Sequence, residues 1–235
     1  MLSDIHANLE ALDAVLAALP PVDQVLVLGD IVGYGPDPNG VIDRLREVPA
    51  RAVRGNHDQA TLTPQILEWF NPDAAAALRW TRQVLTPRSQ RYLAGLPTLG
   101  RLGVHRFVHG SPRKPYIFEY ILEAEQALEH LERLGDRLCF FGHTHLPRIF
   151  TRDGEQTPPI EAEPGWIELP ARALVNPGSV GQPRDGHPES AFAVVDMERP
   201  AVRFHRVPYD VARTQARILE AGLPEVEAAR LAFGR

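Results

Sequence analysis

Short apolar runs alternate with stretches of helical periodicity along the first 145 residues of the chain. In residues 8–19, leucine and valine recur at the spacing of a buried helical face, and Asn8 is a suitable N-cap. Similar patterns predict helices over residues 41–47, 64–94 and 120–134. Four internal runs are short and rich in Val, Leu or Phe, which predicts buried strands at residues 25–28, 52–54, 106–108 and 138–141.

The period changes after residue 145. Alternating apolar residues joined by turns predict strands at residues 148–150, 166–169, 173–175, 191–195 and 202–204. The last stretch, residues 211–233, has the pattern of two helices with a break near residues 222–224. Strand–helix units come first, then strands, then helices, and no linker divides them. This order predicts one α/β domain over residues 1–235, with two sheets packed face to face and helices outside.

Polar side chains that bind metals come directly after the four internal strands and after Met1-Leu2. These side chains are Asp4, His6, Asp30, Asn56, His57, Asp58, His109, His143 and His145. Because the strands of one sheet end together, their trailing loops converge on the edge where open α/β sheets bind ligands. So many polar groups are costly in a core that only has to fold. The pattern therefore predicts a functional site.

The donor types indicate a divalent metal centre. Asp, Asn and His suit Mn, Fe, Co, Ni or Zn, and the absence of Cys ligands argues against a closed structural zinc site. A carboxylate such as that of Asp30 can bridge two ions. Two ions about 3.5–4 Å apart form a clamp for in-line displacement at phosphorus, with a shared hydroxide as nucleophile. Mn²⁺ is the first expectation, and Zn²⁺, Fe²⁺/³⁺, Ni²⁺ and Co²⁺ are alternatives.

Further residues are candidates for contact with a phosphate ester. His57 lies between Asn56 and Asp58, so it is the candidate general acid, with Asp58 as its orienter. A purely structural or phosphate-positioning histidine is the alternative. Arg113 and Arg184 lie in loops near the motifs, where they either contact phosphate or are solvated.

The blocks Asp-x-His, Gly-Asp, Gly-Asn-His-Asp, His-Gly and Gly-His-x-His occur in this order over residues 4–145. Together they resemble the calcineurin-like metallophosphoesterases. The segment Asn-Pro-Gly-Ser-Val-Gly-Gln-Pro at residues 176–183 is similar to the small bacterial and archaeal single-domain members of the YfcE-like branch. The resemblance implies a four-layer α/β/β/α sandwich of two mixed sheets flanked by helices.

The resemblance also implies a role for each ligand. One ion would be held by Asp4, His6, Asp30 and His145, and the other by Asp30, Asn56, His109 and His143. His57 would contact the substrate phosphate or the leaving group. The block that begins at Gly29 lacks the Asp-Arg-Gly of the protein serine/threonine phosphatases, and Asp58 stands where those enzymes have Glu. Both differences disfavour that branch of the family. Only Met1 and Leu2 precede the first block, which suggests either a start assigned too far downstream or a short first strand.

Composition limits the partners and the compartment. A net charge of −5 without a basic block argues against long nucleic acids and anionic membranes as partners. The single cysteine, Cys139, excludes an intramolecular disulfide. No apolar stretch approaches the roughly 20 residues of a membrane span, and no signal pattern begins the chain. We therefore expect a cytoplasmic enzyme, and edge strands after residue 148 allow a homodimer.

The combined expectation is a phosphoesterase that cleaves a small, nucleotide-like phosphodiester by attack of a metal-bridging hydroxide at a dinuclear centre. A phosphomonoesterase and a dinucleoside-polyphosphate hydrolase are the alternative enzymes. A non-catalytic, retromer-type scaffold is the alternative of another class, but every ligand position is filled here, which favours an enzyme. The substrate, the native metal and the oligomeric state are not defined by the sequence.

Overall fold

The computed structural model describes residues 1–135, 137–160 and 164–235. Its α-helices are α1 (Leu9–Ala18), α2 (Pro38–Arg46), α3 (Asn56–Leu62), α4 (Pro72–Val84), α5 (Pro87–Gly95), α6 (Ala124–Leu134), α7 (Val211–Glu220) and α8 (Glu225–Ala229). Its strands are β1 (Val25–Val27), β2 (Ala50–Ala52), β3 (Leu99–Leu102), β4 (His105–Val108), β5 (Leu138–Phe140), β6 (Pro147–Thr151), β7 (Gly154–Gln156), β8 (Ile167–Glu168), β9 (Ala173–Pro177), β10 (Ser190–Asp196) and β11 (Ala201–Val207). Short 3₁₀-helices occupy Pro64–Trp69 and Arg230–Phe233.

The larger sheet is mixed. Within the described residues its strand order is β3-β4-β5-β9-β6-β7. Strands β4, β5 and β9 run parallel, whereas β3, β6 and β7 join by antiparallel pairing. The parallel strands at its centre are the ones whose carboxyl ends lead into the polar blocks that follow Val108 and Phe141.

The first two residues join the smaller sheets into one. Strands β1 and β2 pair in parallel, and β10-β11-β8 form an antiparallel group. Leu2 donates its amide to Leu26 and accepts from Leu28, while Met1 exchanges backbone bonds with Ala193 of β10. Residues 1–2 therefore occupy the position between β1 and β10.

The two sheets pack face to face, and helices cover both outer faces. Leu28, Phe140 and Phe204 belong to one buried cluster between the sheets. A second cluster packs α1, α2 and α5 onto the sheet that contains β1. A third packs α6 onto the larger sheet. The predicted four-layer arrangement is confirmed.

Side-chain caps mark the residues at which most of the helices begin. Asn8, Asn71 and Thr86 each accept a bond from the first turn of their helix, and Pro72 and Pro87 divide the stretch predicted as residues 64–94. The helix predicted from residue 120 begins at Ala124, because the Gln126 side chain caps the amides just before it. The strand predicted at 52–54 lies at Ala50–Ala52, and β7 was not predicted. None of the helices in the described parts of the chain is long and apolar enough to cross a membrane.

We predict that Asn8→Ala destabilises the fold more than Asn71→Ala. The Asn8 side chain caps Ala11 and also bonds the carbonyl of Gly181 and the hydroxyl of Thr214, all in the interior. The exposed Asn71 caps Ala74 alone. Urea denaturation should give losses of about 3 and about 1 kcal/mol respectively. Equal losses would show that the long-range bonds of Asn8 add no stability.

Candidate metal centre

The seven predicted ligands converge at the carboxyl edge of the two sheets. They follow Leu2, β1, β2, β4 and β5, and all but Asn56 are buried. Asp4 and His6 reach this centre directly after the bridge between Leu2 and β1. Two ligand groups can be defined in the described residues: a first group of Asp4, His6 and His145, and a second group of Asp30, His109 and His143. A third combination, His6, Asp30 and His57, overlaps both groups.

Lone pairs face one another in the first ligand group. The Nε2 atoms of His6 and His145 are 3.2 Å apart, and Oδ1 of Asp4 is 3.3 Å from the latter. The Nδ1 atoms of both rings point at backbone carbonyls, those of Val32 and Gln182. Because a carbonyl only accepts, each neutral ring carries its proton on Nδ1 and presents a lone pair at Nε2. These acceptors repel one another unless a cation lies among them.

The second ligand group has the same character. Nδ1 of His109 points at the carbonyl of Leu28, so Nε2 carries the lone pair when the ring is neutral. That Nε2 lies 3.0 Å from Oδ1 of Asn56, 3.1 Å from Nδ1 of His143 and 3.2 Å from Oδ2 of Asp30. Oxygen and imidazole donors at such spacing fit a borderline divalent cation.

Each carboxylate uses one oxygen to hold the protein and leaves the other for the centre. Oδ2 of Asp4 accepts from the Ser3 hydroxyl and the His143 amide, while Oδ1 is buried without a hydrogen-bond partner among the described residues. Oδ1 of Asp30 accepts from the His57 amide, and Oδ2 faces both His6 and His109. Asp30 is therefore placed to serve both groups. The residues present fit the metal that the donor pattern implies.

The electrostatics of the metal-free chain agree with this. Burial lowers the pKa of His6, His143 and His145 well below the ordinary histidine value, so these rings are neutral ligands. Burial also lowers the pKa of His109, but attraction to the Asp30 carboxylate outweighs it and raises the pKa to about 9. Without a cation, a proton on His109 takes over part of the role of the missing positive charge.

Left-handed backbone aims most of the ligands. Five of the seven have positive φ: Asp4 (53°), His6 (49°), Asp30 (51°), His143 (71°) and His145 (61°). Non-glycine residues adopt this region at a cost of order 1–3 kcal/mol each, and such residues cluster at functional sites. The turns point successive side chains of one loop toward the same centre.

The segment at residues 176–183 braces the ligand loops. The Ser179 hydroxyl donates to the carbonyl of Asp4, and the Asn176 amide donates to the carbonyl of Gly142. The amides of Val180 and Gly181 donate to the carbonyls of Ser3 and Asp4. The segment thus fixes the loops that carry Asp4 and His143.

His57 lies beside the first ligand group in an aromatic setting. Its ring centroid is 4.8 Å from that of His6, 4.4 Å from that of Tyr34 and 5.1 Å from that of Phe70. Its Nδ1 is buried and has no hydrogen-bond partner within the described chain. A Cβ on Gly33, which has φ +92°, would lie 2.5 Å from this atom, so glycine is required for the ring to sit there.

The sequence suggests that Asp58 orients the His57 ring, but in the structure its carboxylate is bonded elsewhere. Its carboxylate accepts from the backbone amides of Ile31, Val32 and Gly55. Those bonds tie the loop after β1 to the start of α3. Asp58 therefore positions the backbone that carries Asp30 and Asn56, and its oxygens are occupied by that task.

The two predicted substrate-binding arginines differ in position. Arg184 lies 5.8 Å over the ring of Tyr34 and donates to the side-chain oxygen of Gln182, beside the centre. Arg113 is exposed and lies 3.6 Å from Glu119 of its own loop. The structure thus brings Arg184, but not Arg113, to the centre.

Several residues at the centre carried no sequence signal. The ring of Tyr120 stacks on that of His143 at 3.7 Å and 17°, and Phe70 packs edge-on against His57. Neither belongs to a motif. Gln182 lies in the segment at residues 176–183, but only the folded chain shows its carbonyl 2.6 Å from Nδ1 of His145.

Comparison with known proteins agrees with this geometry. Residues 1–200 match the family described as the calcineurin-like phosphoesterase superfamily domain. The uncharacterised protein MJ0912 of Methanocaldococcus jannaschii is 34% identical over 241 residues, which cover 100% of this chain and 97% of that protein.

Two solved structures are similar over the whole chain. A metallophosphoesterase from Sphaerobacter thermophilus has a TM-score of 0.89 and 42% identity, covering 100% of this chain and 97% of its own. The hypothetical protein PH1004 from Pyrococcus horikoshii OT3 has a TM-score of 0.80 and 24% identity, with the same coverage, and this likeness shows the fold alone.

We predict that removal of divalent metal lowers the thermal midpoint of unfolding. The acceptors of the first ligand group repel one another without a cation, and an ion that binds the folded state stabilises it by about 2.7 kcal/mol at a hundredfold excess over its Kd. Differential scanning calorimetry of chelator-treated protein with and without Mn²⁺ measures this. Asp30→Ala should abolish the gain, and Asp153→Ala on an exposed turn should keep it. A midpoint unchanged by metal would contradict the prediction.

We predict that His57 makes the metal-free protein sensitive to acid. Burial lowers the pKa of His57 from 6.5 to about 4, so the unfolded chain takes up a proton between these values and the folded chain does not. This contribution to stability is complete above pH 6.5 and is lost as the pH falls toward 4. Urea denaturation at pH 7, 6 and 5 should show wild type losing more stability than His57→Gln. Parallel losses in the two proteins would refute a neutral, buried His57.

Proposed function

The chain belongs to the calcineurin-like phosphoesterase superfamily, and we propose that it hydrolyses a small phosphodiester with the help of two divalent ions. The observation that carries the proposal is the pair of buried ligand groups with the Asp30 carboxylate facing one histidine of each. The side chains at this centre are histidines, carboxylates and the Asn56 amide, a set that holds catalytic divalent ions in proteins. Mn²⁺ is the first ion to test.

His57 is the proposed proton donor. When bound, the ions activate water and neutralise charge on the phosphoryl group. Burial lowers the pKa of His57 to about 4, so the ring is neutral near pH 7 until an anion arrives. A phosphate anion beside the ring favours its protonated form, which can then pass the proton to the leaving oxygen. Tyr34, Phe70 and Gly33 hold the ring in place for this transfer.

The surroundings favour a diester over a monoester. Arg184 donates to an uncharged amide and forms no ion pair with a carboxylate among the described residues, so its charge is available to one phosphate oxygen. Aromatic rings lie on both sides of the centre, with Phe70 at His57 and the half-exposed Tyr120 at His143. A diester carries one negative charge and two esterifying groups, which matches the charge of Arg184 and the aromatic rings on the two sides of the centre.

The test is hydrolysis of bis-p-nitrophenyl phosphate and p-nitrophenyl phosphate by metal-stripped protein. Mn²⁺, Zn²⁺, Ni²⁺ and Mg²⁺ are added back singly. We expect diester cleavage to return with metal and to exceed monoester cleavage. Asn56→Ala, which removes a ligand, and His57→Ala, which removes the proton donor, should each lower kcat/KM by about a hundredfold or more.

His187→Ala is the matched control, because His187 is an exposed histidine outside both ligand groups. It should retain wild-type rates. If the monoester is cleaved faster than the diester, the substrate class is a phosphomonoester and not a phosphodiester. Tight metal binding without turnover of either ester would favour the scaffold alternative.

A further inference from the structure

The carboxyl-terminal helices lie beyond the family match and yet reach the metal centre. The match ends at residue 200, whereas α7 and α8 follow it. Ile218, Leu223 and Leu231 share a buried cluster with Tyr34, the residue whose ring packs on His57. The side of the centre at Tyr34 is therefore built by a part of the chain to which the family match assigns no role.

Glu227 of α8 is a buried carboxylate in this region. It is 1% exposed, and burial raises its pKa above the ordinary value. Oε2 accepts from Nε2 of Gln182 at 2.9 Å and lies 3.3 Å from a guanidinium nitrogen of Arg230. Burial of a carboxylic acid costs free energy even when it is paired, and a pair replaced as a whole by apolar residues is often no less stable. Its polar contacts therefore call for a reason other than packing.

Gln182 transmits the contact to the centre in two ways. Its backbone carbonyl lies 2.6 Å from Nδ1 of His145 and so fixes the tautomer and direction of this ligand. Its side-chain oxygen accepts from Arg184 at 2.8 Å, while its Nε2 is the atom bonded to Glu227. The bond to Glu227 consequently decides which way the amide of Gln182 faces.

We propose that Glu227 is a positioning residue that acts through Gln182 on His145 and Arg184. With Nε2 held by the acid, the amide presents its oxygen to Arg184 and keeps the guanidinium at Tyr34 beside the centre. The same anchor holds the backbone of Gln182 against His145. The Arg184 half of this inference rests on the proposed function, whereas the His145 half requires only that the centre binds metal.

Glu227→Met is the decisive variant, because methionine keeps the length and volume of the side chain but accepts no such hydrogen bond. We expect it to fold with a lower thermal midpoint than wild type, because the buried amide of Gln182 and the guanidinium of Arg230 lose their acceptor. Isothermal titration of the metal-stripped protein should show Mn²⁺ binding about tenfold weaker or more. With bis-p-nitrophenyl phosphate, KM should rise about tenfold while kcat stays within about threefold.

Two further variants separate positioning from structure. Glu227→Gln retains an acceptor for Gln182 and should restore most of the Mn²⁺ affinity and KM. Glu225→Ala, on the exposed side of the same helix, should match wild type in both. The inference is overturned if Glu227→Met changes only the thermal midpoint, or if Glu225→Ala weakens Mn²⁺ binding equally.

The readouts also separate this inference from the proposed function. Mn²⁺ affinity is measured without substrate, so it decides on Glu227 even where wild type cleaves neither ester. That lack of turnover would count against the proposed function alone. Normal turnover by wild type with unchanged Mn²⁺ affinity and KM in Glu227→Met would count against the positioning role alone.

Discussion

The mutual repulsion of buried lone pairs is the constraint on which the rest of the structure depends. In the first ligand group, imidazole nitrogens and a carboxylate oxygen meet at about 3 Å, and the carbonyls at the opposite ring nitrogens leave them no proton to share. Such an arrangement persists only where the backbone holds it and a cation completes it. The carbonyls of Val32, Leu28 and Gln182 impose the tautomers. The segment at residues 176–183 fixes the positions of the loops that carry the ligands.

Holding that arrangement costs local stability, which the layered core offsets. The left-handed residues at the strand ends are strained, and strain of this kind survives only where the surroundings determine the geometry. Here the surroundings are two packed sheets with apolar side chains between them, such as Phe107 and Phe140. The hydrogen bonds of Ser179 and Asn176 attach the ligand loops to the rigid sheets and so fix the positions of these loops. The free energy gained by packing the core thus offsets the backbone strain at the edge of the sheets.

The sequence was sufficient for the layers and for the convergence of the polar side chains, because both follow from local pattern. Apolar runs mark strands, and polar residues directly after them must lie at one edge. It was insufficient wherever a long-range contact decides. Asp58 looked like a partner of its neighbour His57, but backbone amides of another loop use its oxygens. The side-chain amide of Gln126 moves the start of α6 to a later residue than the pattern predicts. No local signal links Glu227 to the site, because all of the predicted ligands lie at or before residue 145. The positive φ values are also set by the fold, since Asp and His do not require them.

The backbone hydrogen bonds between Met1 and Ala193 can form only after most of the chain has been synthesised. A ribosome releases the chain from its amino end, so Asp4 and His6 emerge long before the strand that fixes them. Gln182 and Glu227 emerge later than every ligand. The nascent chain therefore carries ligand side chains but no finished cage for most of its synthesis. An ion that needs the full set of ligands would therefore be bound only by the completed, folded chain.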